Sequence, residues 1–141
     1  MFRRVVIAAF LAASPSLAQP TATPDCTVDG RLSGSEALKL DIAFRCHASQ
    51  PLSFHSAENR AAPYILGLQV GQRGGLAEAH YRFDLSAFAR SVDSTSLAVQ
   101  RGNGVLATLG TWLLEPRGYD RPPTIDIRVT GAPDMVFSAG L

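Results

Sequence analysis

Residues 37–46 alternate without a break, with Leu38, Leu40, Ile42, Phe44 and Cys46 on one side and Lys39, Asp41, Ala43 and Arg45 on the other. A period of two separates these sets onto opposite faces of an extended chain, so the segment reads as a strand with one face in a core. Its last inward residue is Cys46. The only other cysteine, Cys26, precedes Asp29 and Gly30, residues that favour turns. The strand is therefore expected to anchor the domain, with the remaining strands laid against it.

The first residues place the chain in a compartment where that cysteine pair can oxidise. Arg3 and Arg4, the apolar run 5–13 and the small-residue site Ser16-Leu17-Ala18 before Gln19 form the three-part pattern of a secretory signal, residues 1–18. The apolar run is too short to cross ~30 Å of hydrocarbon, which needs about 20 residues. Removing those 18 residues from the 141 leaves 123, the size of one domain with one core. The signal holds two of the 13 basic residues and none of the 12 acidic ones, so the exported chain carries a net charge of −1. That balance does not favour nucleic acid or an anionic membrane, and no membrane span is expected after signal cleavage. In an oxidising periplasm or outside the cell, two cysteines with no competitor are expected to form one disulfide, Cys26 to Cys46.

Residues 19–25 carry Pro20 and Pro24 and read as an extended leader, and a single domain is expected over 26–141. Thr27 and Val28 suit a short strand before an Asp29-Gly30 turn. A brief strand at Leu52, Phe54 and Ser56 precedes a loop over 58–63. The run 64–70 leads into the glycine-rich 71–75 and returns over 76–83 with Ala77, Ala79, Tyr81 and Phe83 on one face, a hairpin pattern. Residues 85–92 are the one helical stretch, with Asp84 or Ser86 as cap. A second hairpin is expected at Arg101-Gly102-Asn103-Gly104, and Trp112-Leu113-Leu114 then leads into Glu115-Pro116-Arg117-Gly118. After the proline loop 119–123, residues 124–130 alternate strictly, and Met135 to Ser138 reads as a last strand. Seven or eight short strands with one short helix predict an all-β fold, an antiparallel β-sandwich.

Chemistry is harder to find. No serine sits in a G-x-S-x-G elbow, so a Ser-His-Asp arrangement has no local support. His47, His55 and His80 have no ligand-pair spacing, and each reads as a solvated histidine; a hydrolase or metal enzyme built from them requires that at least two converge beside a carboxylate or serine. The glycines of 71–75 are not followed by a helix N-terminus or a lysine, so a hairpin loop suits them better than a phosphate cradle. Trp112, Arg117, Tyr119 and Arg121 form the candidate partner surface, since Trp, Tyr and Arg dominate recognition patches. Trp is more often core, and Tyr119 in the proline loop is the stronger surface candidate.

The order of Phe83-Asp84-Leu85-Ser86-Ala87-Phe88, the hairpin through Gly104-Val105-Leu106, Trp112-Leu113-Leu114-Glu115-Pro116 and Ile125-Asp126-Ile127-Arg128-Val129 resembles the N-terminal β-domain of secreted glycyl-aminopeptidase-like zinc peptidases of the gluzincin group. The resemblance implies a non-catalytic sandwich that, in such proteins, precedes a catalytic domain carrying H-E-x-x-H. No H-E-x-x-H occurs in this sequence. The expectation is thus a periplasmic or secreted binding or accessory module without a cofactor, serving a protein or peptide partner. It is either free-standing or the N-terminal part of such a peptidase without its catalytic domain. The alternative is the small periplasmic hydrolase or metal-binding enzyme using His47, His55 and His80.

Overall fold

A computed structural model describes residues 22–131; the signal-like segment 1–18, the first three residues of the leader and the strand expected at Met135 to Ser138 lie outside the described residues. In chain order the elements are β1 (Cys26–Ser33), β2 (Lys39–His47), β3 (Ser53–Ser56), a 3-10 helix (Asn59–Tyr64), β4 (Ile65–Arg73), β5 (Leu76–Asp84), α1 (Leu85–Val92), β6 (Ala98–Arg101), β7 (Gly104–Ala107), α2 (Leu109–Trp112), β8 (Leu114–Arg117) and β9 (Ile125–Thr130). The all-β class holds. Five strands form one sheet in the order β4-β5-β2-β1-β9, antiparallel except where β9 runs parallel to β1.

β2 lies at the centre of that sheet, and its alternation sets the two faces. Leu40, Ile42, Phe44 and Cys46 are buried, and β5 follows the same rule with Ala77, Ala79, Tyr81 and Phe83. The second layer, made of the β3–β8 and β6–β7 ribbons with the helices, covers this inner face. Phe44 of β2 meets Phe54 of β3 at 5.2 Å between ring centres, and Phe83 of β5 meets Phe88 of α1 at 5.6 Å, both edge to face, the favoured arrangement for aromatic pairs. α1 begins where expected: the Asp84 carboxylate accepts from Ala87 N at 3.1 Å, and Leu85, Phe88 and Ala89 are buried. Ser86 is buried too, its hydroxyl accepting from Leu38 N at 2.8 Å.

Several local expectations are corrected. Asp29 and Gly30 do not turn the chain but continue an eight-residue β1. A Cβ at Gly30 would meet Leu40 Cδ1 and Val129 Cγ2, each at 3.3 Å, so the glycine answers to close packing between neighbouring strands. The loop over 58–63 winds into the 3-10 helix. The second hairpin, by contrast, forms where expected, Arg101 pairing with Gly104 around a Gly102-Asn103 turn with Gly102 at φ +56. Glu115-Pro116-Arg117 is a strand. Its proline is tolerated because β8 pairs only with β3, and a two-stranded ribbon leaves an edge where a missing N–H costs nothing.

The disulfide joins Cys26 to Cys46, which face each other across β1 and β2 with Cα atoms 4.1 Å apart. The neighbouring His47 N donates to Asp25 O at 2.8 Å, which leaves the cysteines at a non-hydrogen-bonded position where side chains approach most closely.

Candidate functional site

The four expected contact residues take different places. Trp112 is buried at 3% exposure, and its carbonyl accepts from the Tyr81 hydroxyl at 2.8 Å; it belongs to the core. Tyr119 leans on the disulfide, its hydroxyl 3.6 Å from Cys26 Sγ and donating to His47 O at 2.7 Å. Arg121 grips Asp25 with two nitrogens at 2.8 and 3.0 Å, while Thr124 donates to the same carboxylate from its amide at 2.8 Å and its hydroxyl at 3.1 Å. The Arg121 guanidinium first, then the Thr124 amide, hold the Asp25 carboxyl down at about 2. The proline loop is thus a clasp that closes the open end of the sheet around Cys26. Arg117 and Arg121 both keep exposed side chains, and Arg117 has only a loose partner, Glu115 at 3.7 Å.

The three histidines are not brought together. His47 pairs with Leu76, and His80 lies four residues further along β5, a rise of roughly 13 Å at strand spacing. His55 alternates with Phe54, which faces the core, so it points out of the opposite layer; its Nε2 lies 2.8 Å from Ser53 Oγ on an exposed ribbon. Among the described residues no group of three or more His, Cys, Asp or Glu is placed to hold a metal ion.

The feature that sequence reasoning missed is the outer face of the five-stranded sheet. Register lines its side chains into rows that cross the strands. One row runs Glu78, Arg45, Thr27 and Asp126; the next runs Gln69, His80, Ala43, Asp29 and Arg128; the third runs Leu66, Arg82, Asp41 and Arg31. Ala43 has the smallest side chain in the middle of this grid. A bulge between Leu66 and Gln69, with Gly67 at φ +61, bends β4 at its side. The result is a shallow open concavity of about 660 Å³, floored by Ala43 and edged by Leu66, with Asp29, Arg31, Lys39, Asp41, His80 and Arg82 around it.

Most of the charges on this face neutralise one another. Arg82 holds Asp41 through Nε at 2.7 Å and Nη2 at 3.3 Å, and the carboxylate in turn raises the guanidinium's pKa. Arg45 lies 3.5 Å from Glu78 and 3.8 Å from Asp29, and Arg128 lies 3.3 Å from Asp126. These pairs are exposed and screened by solvent, so they contribute little to stability. The signal for this face was present in the polar halves of the alternating strands. The strand order needed to assemble it was not.

Beside the face lies β4, an edge strand on which Leu66, Leu68 and Val70 are exposed by 42, 43 and 54%. The bulge interrupts its row of free backbone groups, one of the ways edges are kept from pairing indiscriminately. Compared with known proteins, the chain matches no family model, no curated sequence and no solved structure. Function must therefore be argued from the site.

Proposed function

We propose that this chain is an exported, non-catalytic binding or accessory module that presents the outer face of its five-stranded sheet to a protein or peptide partner in the periplasm or outside the cell. The observation that carries the reading is the division of labour between the two faces. The inner face meets the whole second layer, whereas the outer one is bare among the described residues and curves into an open concavity. A shallow, wide surface of mixed charge with small apolar areas suits a polypeptide, which meets it through many modest contacts, better than a small substrate, which needs a cleft that buries most of its surface. The Cys26–Cys46 disulfide is in keeping with export, because such bonds persist in oxidising compartments. The resemblance to the N-terminal β-domain of gluzincin peptidases supports the same reading, since the catalytic residues of those proteins lie in a following domain.

Photo-crosslinking in the exporting cell tests this. A crosslinking side chain placed at His80 is expected to trap a discrete partner, one at His55 on the opposite layer is expected to trap none, and Ala43→Arg, which fills the concavity, is expected to abolish the His80 adduct. Equal adducts from both faces, an adduct indifferent to Ala43→Arg, or no adduct from His80 would overturn the proposal. The exported chain is expected to begin at Gln19, which N-terminal sequencing of the periplasmic or secreted fraction checks.

A further inference from the structure

Among the described residues, two of the cations that line the concavity are left without a counter-charge, and the reason lies in the register. Arg31 stands opposite Asp41, and Lys39 stands opposite Asp84. Both carboxylates are engaged elsewhere. Asp41 gives its two oxygens to Arg82, and Asp84 turns to the first turn of α1, where it accepts from Ala87 N. Glu36, in the loop between β1 and β2, makes no ion pair with either cation, and among the described residues neither Arg31 nor Lys39 has an ionic partner. Lys39 lies two residues from Asp41, the residue that faces Arg31, so the two cations are diagonal neighbours across β1 and β2. Diagonal positions are about 7–8 Å apart at the backbone, within joint reach of two long side chains. Both line the concavity.

From this we infer that Arg31 and Lys39 form the anion-binding end of the concavity, and that its ligand is a carboxylate-bearing peptide segment with an apolar residue beside the acid. The inference rests on the reading of the outer face as a binding surface. Arg31 supplies a planar fork suited to a carboxylate, and Lys39 adds a point charge from the neighbouring strand. Ala43 and Leu66 provide apolar contact a few residues away along the same trough. A polyanion such as nucleic acid is disfavoured on the same grid, because Asp29, Asp41, Glu78 and Asp126 share the face and repel a run of like charges. An isolated acidic side chain in a peptide meets the two cations without meeting all four carboxylates.

The test is a titration of the isotopically labelled full chain, followed by amide chemical shifts, with two pools of heptapeptides that have degenerate flanks and either Glu or Gln at the centre. The Glu pool is expected to shift the amides around Arg31, Lys39 and Ala43, with binding about tenfold tighter than the Gln pool, the scale of a charge-assisted contact. The variant Arg31→Gln/Lys39→Gln is expected to erase that preference while leaving the fold, read from its dispersed spectrum, unchanged. Equal shifts at the concavity from the two pools would overturn the anion assignment while leaving the face as a binding surface. Shifts elsewhere, or from neither pool, would overturn both. Inorganic phosphate added alone is a separate arm. If it saturates the same amides as tightly as the Glu pool, the site is a simple anion site and the peptide assignment falls.

Discussion

Tyr81→Phe removes one oxygen atom from the middle of the molecule and should be costly for a definable reason. The hydroxyl donates to Trp112 O at 2.8 Å and accepts from Leu114 N at 3.2 Å, joining β5 of the sheet to the α2–β8 segment of the opposite layer. Tyr81, Trp112 and Leu114 are 5, 3 and 2% exposed, so water does not replace the lost partner. A buried backbone group left unsatisfied costs about 1–3 kcal/mol, and two are affected here, partly offset because phenylalanine has no hydroxyl to desolvate. We expect a loss of about 2–4 kcal/mol, a large share of the ~5–15 kcal/mol typical of a domain.

Urea unfolding of the oxidised full chain, followed by Trp112 fluorescence, reads this as a fall in the midpoint on the order of 1–2 M. Tyr119→Phe is the control: its hydroxyl also bonds a backbone carbonyl, that of His47, but at a site open to water, so its loss should stay below about 1 kcal/mol. A Tyr81→Phe midpoint equal to that of the parent, or a Tyr119→Phe loss just as large, would refute the argument that burial sets the cost. Alkaline pH gives a second readout. Burial holds the Tyr81 phenol well above its ordinary pKa of 10.0, so the unfolded chain ionises there first and the folded state loses stability as pH rises past that value. Tyr81→Phe should flatten that slope.

Three further outcomes follow from other contacts. Reducing the Cys26–Cys46 bond, which closes a sequence separation of 20, should lower unfolding stability by about 3 kcal/mol on loop-closure grounds, and unchanged urea curves with and without reductant would contradict this. Asp25, held at about 2 against an ordinary 3.8, favours the folded state above pH 3.8, and this contribution should disappear as pH falls from 3.8 towards 2; acid unfolding of Asp25→Asn should lack that component. Asp84→Ala removes the cap of α1 and should cost about 0.5–2 kcal/mol by thermal or urea unfolding, whereas no change would mean that the Ala87 contact contributes nothing.

What could be read in the sequence was whatever local periodicity encodes. β2, β5 and β9 alternate, α1 has its cap and its apolar spacing, and each appears within a residue or two of its expected place. Where a residue's role depends on a neighbour distant in the chain, its type pointed elsewhere. Gly30 reads as a turn until Leu40 and Val129 are packed over it, and nothing local marks Pro116 as part of a strand, which it joins in a two-stranded ribbon. The proline loop reads as a contact surface because Tyr and Arg are common there. Its Arg121 also grips Asp25, 96 residues earlier, a pairing that no local pattern contains.

The same dependence governs the outer face, where function is proposed. Alternation already sends Lys39, Asp41 and Arg82 outward, but only the strand order places Arg82 and Arg31 on opposite sides of Asp41, so that one carboxylate faces two cations and can fully engage just one. Because the core is built from the other face, these charges carry little of the fold's stability. Arg31 and Lys39 can therefore be exchanged for neutral residues of similar length with little effect on unfolding, and a change in binding after such an exchange reports on recognition itself.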